Sequence, residues 1–218
     1  MRNRFDRELA QMHEDLISMA SMVETAISRA VEALKKRDIE LARLTQAGDK
    51  DVDQKEREIE STCLKLLLQQ QPVASDLRTI STALKMITDM ERIGDLAEDI
   101  SEVTLFLCEK PDYVAPDQLT YMAEATIKMV RDAIDAFVAH DLAKAHSVIE
   151  YDDVVDRLFN ETRTVLIERI RESMEEAEQA MDIMMIAKYF ERIGDHAVNI
   201  SEWVEFSITG THKNTRVL

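Results

Sequence analysis

The sequence has 218 residues, of which only 4 are Gly and 3 are Pro, and this scarcity excludes a turn-rich sandwich or barrel. It contains 43 acidic and 27 basic residues, giving a formal charge of −16 at pH 7, which disfavours nucleic acid and bare anionic lipid as partners. With 45% hydrophobic and 32% charged residues, the composition is typical of long amphipathic helices.

Three helices are predicted in the first half, because apolar residues recur there at helical spacing with charges between them. The predicted limits are residues 4–36, then 38–71 with Asp38 as N-cap and Pro72 as the stop, then 75–107 with Ser75 or Asp76 as N-cap.

A proline-containing segment separates this half from a second one with the same pattern. Residues 111–117 hold two of the three prolines and predict a linker. Helices are then predicted at about residues 118–139, 142–173 and 175–207, followed by a polar tail. We therefore expect an all-α fold of two tandem antiparallel three-helix bundles, with domains at 1–110 and 118–208 and a flexible tail at 209–218.

The two halves are predicted to be copies of one unit. The segment E-R-I-G-D at 91–95 recurs at 191–195, and nine of the twelve positions from 91 to 102 are identical one hundred residues later. On the middle helices, a D-x-x-x-D pair at 49–53 aligns with another at 152–156, at an offset of 103.

These repeated segments carry acidic residues four positions apart, which share one face of a helix. Without cysteine and with no clear histidine, such a set of oxygen donors suits hard or borderline cations, namely Mg²⁺, Mn²⁺ or iron. The alternative is a solvated acidic face without a ligand. In the second copy Asn199 replaces the third acid of the helix. The candidate ligands are Asp49, Asp53, Glu91, Asp95, Asp99, Asp152, Asp156, Glu191 and Asp195.

Other residues in the repeat have structural interpretations. Gly94 and Gly194 lie inside helices, where glycine is unfavourable, so they predict either close helix packing, which we favour, or room for an ion. Arg92 is expected to pair with neighbouring acids. His196 is not expected to be a ligand, since Leu96 takes its place in the first copy.

Neither catalysis nor secretion is indicated by the sequence. It lacks a Glu-x-x-His element, a G-x-S-x-G elbow, a C-x-x-C pair and a phosphate-binding glycine loop, so we do not expect an enzyme. It also lacks a signal-like N-terminus and an apolar run of about 18 residues, which predicts a cytoplasmic protein. Its two cysteines, Cys63 and Cys108, are expected to be reduced.

Four segments together resemble the PhoU family, the accessory and regulatory proteins of bacterial phosphate-specific transport. They are Q-P-V-A-S-D-L-R at 71–78, G-D-K-D-V-D at 48–53, and the two E-R-I-G-D segments. The resemblance covers about residues 5–207 and implies two three-helix bundles, with multinuclear metal clusters on the E(D)-x-x-x-D motifs of some members. The candidate ligands above fall on those motifs, and Asn199 departs from the pattern, which implies a weaker second site.

The resemblance also implies a regulatory role. It predicts a negative regulator of the phosphate-starvation (Pho) regulon and modulator of phosphate uptake. The expected partners are the sensor histidine kinase PhoR and the importer ATPase PstB, with membrane association only through such proteins. A homodimer or higher oligomer is expected. The alternatives are a carboxylate-bound di-metal enzyme, either an oxidoreductase or a phosphatase, and a metal-independent helical scaffold.

Overall fold

The computed structural model describes residues 2–70, 73–110, 114–213 and 215–216, and these residues form an all-α fold. Three long helices make up each half, as the periodicity predicted. The helices are α1 (Arg2–Lys36), α2 (Ile39–Gln70), α3 (Ala74–Cys108), α4 (Asp117–Ala139), α5 (Leu142–Glu172) and α6 (Ala177–Thr209), with a short 3₁₀ turn at Met174–Glu176.

The first two helices of each half are joined by the same tight turn. Arg37 and His140 adopt left-handed backbone conformations with φ of 56° and 50°. The carboxylates of Asp38 and Asp141 each accept a hydrogen bond from the backbone N–H three residues further on, at 3.0 Å. These caps satisfy N–H groups that have no partner within the helix. The duplication offset of 103 therefore holds in the backbone of α1–α2 and α4–α5.

The third helix begins differently from the prediction. Neither Ser75 nor Asp76 is its N-cap; that position is Val73, whose side chain makes no capping hydrogen bond. The predicted stop at Pro72 and three of the seven predicted linker residues, 111–113, lie outside the described residues.

The buried face of α1 is the predicted stripe, whereas that of α2 agrees with the predicted stripe only in part, at Val52 and Ile59. Met12, Leu16 and Val23 are almost fully buried on α1. On α2 the predicted stripe included Leu44 and Leu64, whose exposed fractions are 52% and 47%. The face of α2 that enters the core carries Ala42, Thr45, Val52, Ile59, Cys63 and Leu66.

The two bundles share one continuous core, because α3 packs along α6 and α1 along α4. The α3–α6 pair is antiparallel: the Thr82 hydroxyl donates to the Trp203 carbonyl at 3.3 Å, and Arg78 Nε donates to the Ser207 carbonyl at 3.4 Å. The repeated E-R-I-G-D segments therefore lie on two helices that are packed against each other.

The segment after α6 packs back onto that helix. Gly210 ends α6 with φ of 77°, and the strands β1 (Thr211–His212) and β2 (Thr215–Arg216) pair antiparallel. The His212 ring stacks on the Trp203 ring with centroids 3.9 Å apart. This segment lies within the tail that was predicted to be flexible.

Two sequence predictions concern membranes and thiols. Across the part of the chain that the structure describes, none of the helices is both long and apolar enough to cross a membrane.

Cys63 and Cys108 are both free thiols; Cys63 is buried, whereas Cys108 is partly exposed. Burial raises the pKa of the Cys63 thiol to about 12, so this group stays protonated at neutral pH.

Candidate metal centre

The candidate centre begins with a close approach of α2 to α3 at Gly94. A Cβ atom at that position would lie 3.2 Å from Val52 Cγ1 and 3.3 Å from Asp49 Oδ1. The glycine therefore makes room for both a core side chain and a carboxylate. The favoured interpretation, close helix packing, is confirmed by these distances, whereas room for an ion stays a prediction.

Three predicted ligands converge at this point. Asp49 and Asp53 lie four residues apart on one face of α2, and Asp95 faces them from α3. One carboxylate oxygen from each lies within 4.8 Å of the other two, and we call this set the three-carboxylate cluster. All three side chains are partly buried. Asp49 Oδ1 is fully buried and has no hydrogen-bond partner, which is an arrangement that a cation would satisfy.

Burial and mutual repulsion both act on Asp49. Desolvation is the larger cause, and the negative charges of Glu98, Asp95, Asp53 and Glu91 add to it, so that its pKa rises to about 6. The pKa of Glu91 is raised for the same reasons, burial first and Asp95 second. Charge repulsion is thus built into the metal-free cluster, and a multivalent cation would remove it.

Two arginines partly neutralise the cluster. Arg92 Nη1 lies 2.9 Å from Asp95 Oδ2, and Arg57 Nη2 lies 3.6 Å from Asp53 Oδ2. The salt-bridge role predicted for Arg92 is confirmed by this contact. Both guanidinium groups are largely exposed, so they are free to move when an ion takes over the carboxylate oxygens.

Two predicted ligands of the first half lie outside this cluster. Glu91 is close by, and its Oε2 is 3.5 Å from Arg92 Nε. Asp99 lies one turn beyond Asp95, where burial, Glu102 and Asp95 raise its pKa and Arg192 of α6 lowers it. Asp99 therefore lies beside the cluster, at the contact of α3 with α6 between the bundles, which we call the seam.

Sequence reasoning missed two acids beside the cluster. Glu98 follows Asp95 by three residues on the same helix face, and Glu56 follows Asp53 in the same way on α2. Burial raises the pKa of both carboxyl groups, with nearby acids adding to the effect. The i, i+3 spacing from predicted ligands was the signal that would have found them.

The second half repeats the glycine contact but not the full cluster. Asp152 Oδ1 lies 3.2 Å from the position of a Cβ at Gly194. Burial first, then Asp156, Asp195 and Glu191, raise the pKa of Asp152 to about 6. Among the residues described, however, the cluster at Asp49 is the one group of three carboxylates that converges.

A lysine explains much of this difference between the halves. Lys188 Nζ lies 2.5 Å from Glu191 and also lowers the pKa of Asp195, which burial and Glu191 raise. The corresponding residue of the first half is Thr88. The additional acids of the first half are absent as well, since the residues equivalent to Glu56 and Glu98 are Phe159 and Val198.

Asn199 has a different role from the one expected. Its Nδ2 donates to Asp89 Oδ1 across the seam, at 3.2 Å, and His196 Nδ1 lies 2.8 Å from the same oxygen. His196 is thus engaged with α3, in keeping with the prediction that it is not a ligand. Asn199 therefore serves helix packing, and the weaker second site stays a prediction, to which Lys188 and the lost acids also point.

Comparison with known proteins identifies the family. A model of the PhoU domain matches residues 16–104 and 119–204, which are the two halves described above. A phosphate-specific transport system accessory protein PhoU homolog 1 of Thermotoga maritima is 38% identical over 207 residues, covering 94% of this chain and 89% of that protein. A PhoU homolog of Clostridium acetobutylicum is 35% identical and covers 96% of both chains.

Solved structures agree with these sequence matches. The crystal structure of PhoU from Pseudomonas aeruginosa superposes with a TM-score of 0.92 at 35% identity, covering 95% of this chain and all of that one. The phosphate transport system regulatory protein PhoU from Streptococcus pneumoniae gives a TM-score of 0.89 at 29% identity, covering 95% and 98%. The tandem all-α architecture predicted from the sequence is thereby confirmed, and the chain belongs to the PhoU family.

Proposed function

We propose that this protein is an accessory and regulatory protein of a phosphate-specific transport system, and that it works with a metal ion held by the three-carboxylate cluster. The relatives from Thermotoga maritima and Clostridium acetobutylicum are accessory proteins of phosphate-specific transport, and the one from Streptococcus pneumoniae is a regulatory protein of that system. The single observation that supports the metal is Asp49, whose buried, unpartnered Oδ1 lies among other acids. A non-catalytic role fits both lines of support.

The donor set favours hard or borderline cations. Asp49, Asp53 and Asp95 offer carboxylate oxygens alone, which suit Mg²⁺, Mn²⁺ or iron and disfavour soft metals. When bound, the ion would supply positive charge that offsets the repulsion among these acids. We expect the first half to bind more tightly than the second, where Lys188 already neutralises Glu191.

The regulatory part of the proposal follows the family resemblance. The protein would act in the cytoplasm as an adaptor between the importer ATPase PstB and the sensor histidine kinase PhoR, and would repress the phosphate-starvation regulon when phosphate is plentiful. Its charge of −16 supports docking on cationic protein surfaces rather than on anionic lipid. A homodimer or higher oligomer would present two or more such surfaces.

Metal binding is tested on the purified protein. Elemental analysis after purification without chelator should find Mg, Mn or Fe, and calorimetric titration of the stripped protein with Mn²⁺ should resolve a tighter and a weaker site. A variant with Asp49→Asn, Asp53→Asn and Asp95→Asn should lose the tighter one. The metal proposal is wrong if no metal is found and none binds on titration.

Regulation is tested in cells that carry a reporter of the phosphate-starvation regulon. Deletion of the gene should release the reporter at high phosphate, and the triple variant should release it in part or in full. Repression that persists after the deletion would contradict the regulatory proposal. Repression by the triple variant equal to that of the parent would favour the metal-independent scaffold, whereas chelator-sensitive turnover would favour the enzyme.

A further inference from the structure

A cleft between α1 and α2 lies beside the three-carboxylate cluster and takes no part in it. Its volume is about 240 Å³, and an apolar cavity of about 150 Å³ is large enough to bind benzene in another protein. Gly48 lines the cleft, and a Cβ at this position would meet no atom within 4 Å. Unlike Gly94, this helical glycine is therefore not required by packing of the chain against itself.

In the second half, an aromatic side chain fills the position equivalent to this cleft. By the offset of 103, the residue equivalent to Gly48 is Tyr151 on α5, whose partly buried ring packs against the core. Lys128 of α4 lies over that ring, with its Nζ 4.7 Å from the ring centroid. An aromatic side chain and a cation above it thus occupy the groove between the first two helices of the second bundle.

The first half has small residues at each of these positions. Thr25 stands where the second half has Lys128, and Ala26 stands where it has Met129. With Gly48 in place of Tyr151 and Thr25 in place of Lys128, two exchanges remove side-chain volume at the groove, whereas Met129 faces Gly194 of α6. At two other positions the first half has the larger side chain, since Met22 corresponds to Ala125 and Arg29 to Asp132. Met22 and Arg29 form part of the walls of the cleft.

The remaining walls suit the side chain of an aromatic residue. Met22, Ala26 and Val52 supply apolar surface, and the methionine sulfur makes favourable contacts with aromatic rings. Arg29 at the rim is exposed, one helical turn from the position equivalent to Lys128, and can stack on the face of a ring. The hydroxyl groups of Thr45 and Thr25, which also line the cleft, donate to the carbonyls of Leu41 and Ser21, so that their methyl groups remain for contact.

We propose that the Gly48 cleft is a socket for an aromatic side chain presented by a basic segment of a partner protein. The ring would occupy the position that Tyr151 occupies in the other half. Basic flanking residues are inferred from charge: the exposed Asp51 lines the cleft, and the whole chain carries −16. Glu24 and Glu32, farther along α1, are already paired with Arg131 and Lys36.

The first test uses two defined probes in buffer with chelator, so that metal binding plays no part. One is p-cresol, the side chain of tyrosine; the other is a pentapeptide with tyrosine between two lysines on each side. The protein has four glycines, so their amide signals are easily separated by NMR, and Gly48 is assigned by its loss in Gly48→Ala. Both probes should shift the Gly48 signal and leave that of Gly210 unchanged.

The second test measures affinity for the labelled peptide by fluorescence anisotropy. Gly48→Tyr should fill the socket and weaken binding by about tenfold or more, the amount expected for losing a well-packed ring. Gly48→Ala is the matched control, because it adds one carbon in open space, and it should keep affinity within about threefold. Tyr151→Gly should create a second p-cresol site, seen as a shift of the Gly194 signal.

Several results would overturn the inference. Peptide binding that Gly48→Tyr leaves intact would place the contact elsewhere. Equal binding of a peptide with leucine for tyrosine, or with glutamates for the lysines, would remove the aromatic or the basic requirement. Dissociation of an oligomer by Gly48→Tyr in sedimentation would identify a second copy as the occupant. Thermal unfolding confirms that each variant is folded, and none of these outcomes depends on the metal proposal.

Discussion

Asp49→Asn is expected to stabilise the metal-free protein at neutral pH while removing its response to metal. The carboxylate of Asp49 is placed among other acids and partly desolvated, and its pKa rises from 3.8 to about 6. A neutral amide of the same shape lacks that unfavourable charge. The free energy of unfolding should therefore increase in the variant, even though a proposed ligand has been lost.

The magnitude follows from the pKa. A value of about 6 in place of 3.8 corresponds to about 3 kcal/mol at most, since one pKa unit is worth about 1.4 kcal/mol. The side chain is partly exposed, and solvent screening reduces this to about 1 kcal/mol. Because the folded-state pKa is raised, this carboxyl group stabilises the fold below pH 3.8 relative to neutral pH, and that contribution is lost as the pH rises through 6.

The assay is urea denaturation in chelator at pH 5 and pH 7.5, followed by thermal unfolding with and without Mn²⁺. The parent should be more stable at pH 5 than at pH 7.5 by part of this amount, and Asp49→Asn should reduce the difference. Mn²⁺ should raise the Tm of the parent but not that of the variant. Asp51→Asn, a change of an exposed acid two residues away, is the control. A variant less stable than the parent in chelator at pH 7.5 would refute the electrostatic reasoning.

Three further predictions follow from single contacts. Gly48→Ala should stabilise the protein by about 1 kcal/mol in urea denaturation, the cost of a helical glycine, whereas Gly94→Ala should not, since its Cβ would press on Val52 and Asp49. Lys188→Thr should strengthen Mn²⁺ binding at the weaker site by about tenfold in calorimetry, because a competing cation is removed. His196→Ala should destabilise the protein by about 1 kcal/mol in urea denaturation, since Asp89 loses its shorter contact.

Each of these has a contrary outcome. Equal gains from the two glycine substitutions would mean that α2 and α3 have room to move apart at Gly94. Unchanged Mn²⁺ affinity in Lys188→Thr would show that the weaker site does not involve Glu191. If His196→Ala leaves the free energy of unfolding unchanged, apolar packing alone holds α3 against α6.

The sequence predicted the helices well because their signals are local. The stripe on α1 and the N-cap at Asp38 depend on residues within a few turns of one another. The stripe on α2 was misplaced at Leu44 and Leu64, which are apolar at helical spacing yet face outward. Small or polar residues such as Thr45 face the core instead. Which of two faces enters the core is decided by the neighbouring helices and not by the pattern.

The candidate cluster was predicted in part for a similar reason. Spacing within one helix brought Asp49 and Asp53 together, and the repeat drew attention to Asp95. The packing of α3 against α6 was not predicted, so the place of Asn199 opposite Asp89 was interpreted as a lost ligand. Contacts across helices, such as those of His196 and Asn199 on α6 with Asp89 on α3, could be recognised only once the helices were placed.

The two halves of the chain differ in the same way at the cluster and at the cleft. At the cluster, Glu56 and Glu98 of the first half become Phe159 and Val198, and Lys188 lies over the Phe159 ring with its Nζ 5.6 Å from the centroid. At the cleft, Tyr151 fills the space that Gly48 leaves open. In the second half, apolar and aromatic side chains thus occupy these positions, which in the first half carry a charge or are empty. We therefore expect the first half to hold the tighter metal site and to bind the aromatic side chain.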